Sequence, residues 1–254
     1  TTVVLDKPKS SISESFRNVR INILYFTKGK EKAVIAVTST VPEEGKTFCS
    51  ISIASVIALS GKKTILVGMD LRKPKIADDF GLENDRGVSS VLIGKHSLSE
   101  AIYKGPHENL DILLSGPIPP NPGELILSEE YLKLIEDLKN LYDYIIIDTS
   151  PIGLVSDALD LMKDTDLNLF ILRHNFSKKQ YLGYINHIYN QGLIPKIALL
   201  VNDYVHSEGA GYGYNYNYGY VYAYDYGQGS KDYGYHEKIN LSWKKRLKNL
   251  FRLK

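Results

Sequence analysis

One run of the chain, Thr38-Ser39-Thr40-Val41-Pro42-Glu43-Glu44-Gly45-Lys46-Thr47, sets a glycine, a lysine and a hydroxyl in the order that polyphosphate chemistry needs. Such a loop turns successive backbone N–H groups and a helix N-terminus toward an anion. The lysine then reaches the outer phosphates, and the threonine hydroxyl helps to hold a hard divalent cation. The general pattern has a glycine six residues before the lysine, where this chain has Thr40. A plain strand-to-helix turn could contain Gly-Lys-Thr without any such role. Context argues against that, because an aliphatic run precedes the loop and an apolar helical run follows it. Pro42, Glu43, Glu44, Gly45, Lys46, Thr47 and Phe48 are therefore the candidate phosphate-binding set.

A hard cation beside phosphates takes one or two carboxylates, with water completing its shell. Two strand ends offer them. Asp148 closes the hydrophobic run Tyr144–Ile147 within Tyr142–Pro151, a Walker B arrangement. Asp70 follows the run Thr64–Val67 in Thr64-Ile65-Leu66-Val67-Gly68-Met69-Asp70-Leu71-Arg72-Lys73-Pro74. An isolated aspartate after a strand is more often a turn or a helix cap, but convergence with a phosphate loop reverses that balance. Thr47, Asp70 and Asp148 are the candidate metal ligands, and Lys46, Asp70, Asp148 and Arg72 the candidate catalytic groups. Lys73 adds further positive charge beside Arg72. Asn202, after the last aliphatic run, occupies a place similar to that from which related nucleotide-binding proteins contact adenine, and that likeness implies a base contact.

These residues act together only if the fold gathers them. Aliphatic runs at Ala33–Val37, Thr64–Val67, Leu110–Leu114, Tyr144–Ile147, Leu167–Leu172 and Ile197–Val201 read as strands buried on both faces. Amphipathic helices separate several of them. Glu130–Leu141 has Tyr131, Ile135, Leu138 and Tyr142 on one face, and Lys179–Tyr189 has Leu182, Ile185 and Tyr189. This alternation predicts an α/β fold with a mainly parallel sheet, helices on both faces, and ligands at the carboxyl ends of the strands. Ser11 and Glu14 have capping-box spacing and open a further helix to about Tyr25.

The chain has 254 residues, 43% hydrophobic and 24% charged, with 31 basic against 29 acidic side chains and a formal charge of +2. That balance gives no reason to expect a nucleic-acid partner. One cysteine, Cys49, allows no internal disulfide and suits a reducing compartment. It reads as a buried thiol rather than one activated by the helix N-terminus. The six histidines lack metal-ligand spacing. The longest apolar stretch, Ile51–Leu59, is too short to cross a bilayer, and a start at Thr1 without methionine fits a piece of a longer polypeptide.

Composition divides the chain into a body at 1–206, a segment at 207–237 and a basic end at 238–254. In the middle segment Gly, Asn and Asp alternate with tyrosine at Tyr212, Tyr214, Tyr216, Tyr218, Tyr220, Tyr222, Tyr224 and Tyr226, with Tyr233 and Tyr235 beyond. Few aliphatic residues and many glycines predict a flexible tail. The last segment pairs Trp243, Leu247, Leu250 and Phe251 with Lys244, Lys245, Lys248, Arg252 and Lys254. It reads equally as a basic amphipathic helix for anionic lipid or as a solvated helix end.

Taken together, these motifs resemble the bacterial tyrosine kinases that regulate capsule and exopolysaccharide export. The likeness rests on the phosphate loop, Asp70-Leu71-Arg72-Lys73-Pro74, Asp148, the tyrosine cluster, and Gly116-Pro117-Ile118-Pro119-Pro120-Asn121-Pro122 with Glu124. Glu14-Ser15-Phe16-Arg17-Asn18-Val19-Arg20 is similar to the family's E-x-x-R-x-x-R motif, which implies that Glu14, Arg17 and Arg20 join subunits into a ring. The resemblance also implies ATP and Mg²⁺ as cofactors, the ten tail tyrosines named above as phosphoacceptors, and a membrane-embedded polysaccharide co-polymerase or activator, fused or separate. A tyrosine phosphatase partner and a place on the cytoplasmic face of the bacterial inner membrane follow from it too.

One departure stands out. The family usually has Asp-x-Asp where this chain has Gly68-Met69-Asp70. A catalytically weak, ATP-gated assembly module is therefore an alternative reading. A MinD- or ParA-like ATPase is another, although Val41 occupies the place of that group's signature lysine.

Overall fold

The computed structural model describes residues 2–153 and 157–204. The stretches at 207–237 and 238–254, with all the candidate acceptor tyrosines, lie outside the described residues. The described residues all belong to one unit. In chain order its elements are α1 (Val3–Asp6), α2 (Ser11–Phe26), β1 (Ala33–Ser39), α3 (Lys46–Ala58), β2 (Thr64–Gly68), α4 (Ile76–Phe80), α5 (Val88–Leu92), α6 (Leu98–Ala101), β3 (Ile102–Lys104) and β4 (Leu110–Leu113). There follow α7 (Pro122–Ile126), α8 (Glu129–Leu141), β5 (Tyr144–Asp148), α9 (Asp157–Leu161), a 3-10 turn (Met162–Asp164), β6 (Leu167–Arg173), α10 (Lys179–Asn190) and β7 (Ile197–Asn202).

The strands form a seven-stranded sheet in the order β3-β4-β2-β5-β1-β6-β7. All neighbours are parallel except β3 and β4. This is the expected α/β P-loop fold. Each central strand alternates its side chains between two apolar layers, which is why the aliphatic runs are nearly continuous. Ile145 and Ile147 of β5 join one layer with residues of α5, α8, α9 and α10. Tyr144 and Ile146 join the other with α1, α2, α3 and α4. The same alternation sends Asp148, the next residue on that face, toward α3. That helix is buried along nearly its whole length, as expected of a segment held between the sheet and an outer helix layer.

Three local expectations need correction. The cap of α2 is Ser10, whose hydroxyl accepts from Ser13 N at 3.2 Å, so the helix does not open on a Ser11–Glu14 capping box. On α10 the inward residues are Ile185 and Ile188, while Leu182 and Tyr189 are 43% and 63% exposed. The helix is rotated relative to the reading that joined Leu182 to Tyr189. β7 lies at the sheet edge, and Leu199 and Val201 are exposed, so it is not buried on both faces. Among the described residues, no helix is long and apolar enough to cross a membrane.

Candidate active site

The phosphate loop runs from β1 into α3 and is held from within. Glu44 is fully buried, and its Oε2 accepts from the backbone N–H groups of Thr40 at 2.8 Å and Val41 at 3.0 Å. Ser177 Oγ donates to Oε1 and itself accepts from Arg173 N at 2.7 Å. Glu44 was expected to line the phosphates. Its carboxylate instead faces inward and curls the loop, because the donors that satisfy a buried charge lie on that side. Thr40, standing where the general pattern has glycine, presents its carbonyl to Gly153 N at 3.0 Å. A side chain at Gly153 would meet that oxygen at 2.3 Å.

Gly45 caps α3 in the left-handed region, at φ +89°, with no side-chain cap. The first-turn N–H groups of α3 are thus left for an anion. Asn202, at the end of β7, donates from Nδ2 to the Glu44 carbonyl at 3.0 Å, bracing the turn from the C-terminal strand. A Cβ at Gly45 would fall 2.0 Å from that nitrogen. Gly45→Ala should therefore both strain the backbone, by about 1–2 kcal/mol, and expel the Asn202 brace. The expected result is at least a tenfold rise in Kd for Mg-ADP, read by isothermal titration.

The carboxylates converge on the lysine. Asp148 is buried, and its Oδ1 accepts from Lys46 Nζ at 3.2 Å and Ser50 Oγ at 2.9 Å. Its Oδ2 accepts from Thr47 Oγ1 at 2.8 Å. Asp70 Oδ2 lies 3.8 Å from Lys46 Nζ. Asp70 Oδ1 accepts from Ser150 Oγ at 2.8 Å, Lys73 N at 3.0 Å and Arg72 N at 3.3 Å. Asp70 thus caps the turn after β2 and faces Lys46 as well. Hard oxygens from Thr47, Asp148 and Asp70 beside one lysine suit a cation that shares its shell with phosphates and water. The cleft in front of them has a volume of about 490 Å³ and is bounded by Pro42, Lys46, Phe48, Arg72, Lys73 and Arg173. A nucleotide-sized ligand fits that range.

Ser50, Ser150, Ser177 and Arg173 were missed by motif reading. Arg173 had a signal, since it ends β6 on the side of the sheet where the strands' carboxyl ends lie and ligands bind. On α2, Arg17 pairs with Glu14 and donates to the Pro8 carbonyl at 2.6 Å. Arg20 falls on the side of Phe16 and Ile23, with its Nε buried and without a hydrogen-bond partner among the described residues. These three residues are remote in sequence from the loop, and none of them lines the cleft.

The AAA domain family matches residues 32–167. The tyrosine-protein kinase YwqD of Bacillus subtilis is 37% identical over 178 residues, covering 70% of this chain and 75% of YwqD. The tyrosine-protein kinase CpsD of Streptococcus agalactiae is 35% identical over 170 residues, 66% of this chain and 72% of CpsD. The chain belongs to the bacterial tyrosine-protein kinases. In structure it is similar to the kinase domain of the Escherichia coli tyrosine kinase ETK, with a TM-score of 0.78, 28% identity and 86% of each chain covered. The P-loop fold of this kinase family carries nucleotide and magnesium chemistry.

Cys49 sits one turn into α3 and is fully buried. Burial, reinforced by the negative charge of Asp148, pushes its thiol up to about 12, so the helix N-terminus does not activate it. Only the thiolate attacks. The native kinase should therefore resist Ellman's reagent at pH 8 and react fully in guanidinium; rapid native labelling would contradict the buried assignment.

Proposed function

We propose that the kinase binds Mg-ATP in this cleft and transfers the terminal phosphate to tyrosines of its own C-terminal cluster, between subunits of a ring. In this reading the N–H groups at the start of α3 and Lys46 hold the phosphates. Thr47, Asp148 and Asp70 would hold magnesium, which when bound neutralises phosphate charge. Arg72 faces the transferred group, and Asn202 sets the loop and lies near the base. The acceptors are Tyr212, Tyr214, Tyr216, Tyr218, Tyr220, Tyr222, Tyr224, Tyr226, Tyr233 and Tyr235.

The observation that carries the reading is the meeting of Lys46, Thr47, Asp70 and Asp148 from three separate strand ends in one cluster at the cleft. Phosphoryl transfer depends mostly on such positioning and charge neutralisation. Transfer between subunits draws support from α2, where Ile21, Leu24 and Tyr25 are 57%, 39% and 81% exposed on the side that also carries Arg17. A chain surface of this kind gains from being covered by a second copy.

The process served would be control of capsular or exopolysaccharide synthesis and export, at the cytoplasmic face of the inner membrane. A membrane-embedded co-polymerase or activator, fused or separate, and a tyrosine phosphatase would be its partners, and nucleic acid would not. Gly68 favours a second reading, a catalytically weak module whose assembly is gated by ATP. Transfer of label from γ-labelled ATP, measured beside nucleotide binding, separates the two. Binding with stoichiometric tyrosine labelling supports the kinase, whereas binding without labelling supports the assembly module.

A further inference from the structure

The phosphate loop touches the rest of the fold at an unusual place. Glu43, at its tip, has a left-handed backbone with φ +69°, and Asp203, the first residue after β7, has φ +55°. Neither is glycine; aspartate takes this region comparatively readily, but glutamate does so only when its surroundings impose it. One side chain joins the two. Arg173 donates from Nη1 to the Glu43 carbonyl and from Nε to Asp203 Oδ2, both at 3.1 Å. Around this bridge, His174 N donates to the Asn202 carbonyl at 3.0 Å, and the His174 and Tyr204 rings lie 4.9 Å apart. Asn202, as described above, holds the next loop carbonyl, that of Glu44.

We infer that Arg173 is a positioning residue that couples the phosphate loop to the root of the tyrosine-bearing segment. The planar guanidinium suits this task, since its fork can hold a carbonyl and a carboxylate in fixed relative geometry where a lysine would supply a single point charge. The side chains of Arg173 and Asp203 are 40% and 55% exposed, so the ion pair contributes little to stability. Its consequence is geometric. The guanidinium also borders the cleft, so the charge on a bound nucleotide bears on the same group that fixes where the chain leaves the sheet. Coupling of this kind is reciprocal: loss of the anchor at Asp203 weakens nucleotide binding, although Asp203 does not line the cleft.

The inference rests on the proposed autokinase only for its second readout. The first is affinity for a fluorescent Mg-ADP analogue, measured on the full chain, which needs no phosphoryl transfer. Arg173→Ala and Asp203→Ala should each raise Kd about fivefold. The double variant should show the same fivefold rather than the product, and Arg173→Lys should recover only part of it. Thermal melting of each variant should be unchanged, which separates positioning from loss of fold. In the second readout, at saturating ATP, Asp203→Ala should phosphorylate its own tail several-fold more slowly and an added tyrosine peptide at the normal rate. Unaltered Kd in both single variants, or effects that multiply in the double variant, would overturn the coupling. Absence of all phosphorylation with the Kd pattern intact would count against the autokinase reading alone.

Discussion

Replacing Lys46 by methionine should reduce tail phosphorylation by a factor of about 10²–10³ or more, the usual effect of removing a charge aimed at the developing transition state. Lys46 Nζ is the one cation within 4 Å of both Asp148 and Asp70 among the described residues. Without it, the phosphate oxygens would face two carboxylates with no fixed positive charge between them. The fold should survive, because Asp148 keeps hydroxyl donors from Thr47 and Ser50 and the methionine stem fills the space of the lysine stem. Asp148→Asn should have a similar effect by a different route, since it loses the charge that holds Lys46 and the cation. Circular dichroism melting separates lost chemistry from lost structure, and a Lys46→Met chain that labels its tyrosines at the normal rate would refute the role given to the loop.

The second large effect should be a gain. Gly68 ends β2 in register with Asp148 on β5, and the alternation of the strand puts both on the α3 face. A carboxylate at 68 would therefore stand beside Asp148. The space is tight: a Cβ there meets Ser115 N at 3.1 Å, Ile76 Cδ1 at 3.4 Å and the Leu114 carbonyl carbon at 3.5 Å. Gly68→Asp should cost about 1 kcal/mol or more of stability, as small overpacking does. If the missing carboxylate limits turnover, the variant should label its tail about tenfold faster, short of the roughly 10²–10⁴-fold that a fully positioned acid or base supplies. The expected signature is a higher kcat with little change in KM for ATP. An unchanged or lower rate would show that activation here does not wait on a second aspartate.

Legibility in the sequence followed the physics of burial. Five of the six long strands were readable because both faces are covered and nearly every position prefers an aliphatic side chain, while β7 kept an aliphatic run although Leu199 and Val201 are exposed at the sheet edge. β3 was missed because it spans only Ile102–Lys104 and pairs antiparallel at the sheet edge, too short for a period to register. The helices α4 to α7 are four or five residues each, shorter than two turns, so they carry no amphipathic signal. On α10, the exposed Leu182 and Tyr189 imitated an inward face. The grouping of Lys46, Thr47, Asp70 and Asp148 was legible, since each belongs to a motif with its own spacing. Ser50 and Ser150 stand close to the motifs in the chain, but their hydroxyls meet Asp148 and Asp70 only across the fold, and Arg173 and Ser177 reach the loop through topology. Glu44 shows the limit of motif reading in another way: its place in the loop was evident, but the direction of its carboxylate depended on Ser177, 133 residues away in the chain.

The most direct test of the central claim is peptide-mapping mass spectrometry of the full wild-type chain, purified, treated with phosphatase, and then incubated with Mg-ATP. The account predicts phosphate on several tyrosines between Tyr212 and Tyr235 and none on the Lys46→Met chain incubated alone. When that inactive chain is mixed with wild type, its tyrosines should become phosphorylated in trans. A wild-type chain that binds Mg-ATP yet gains no phosphotyrosine would contradict the account.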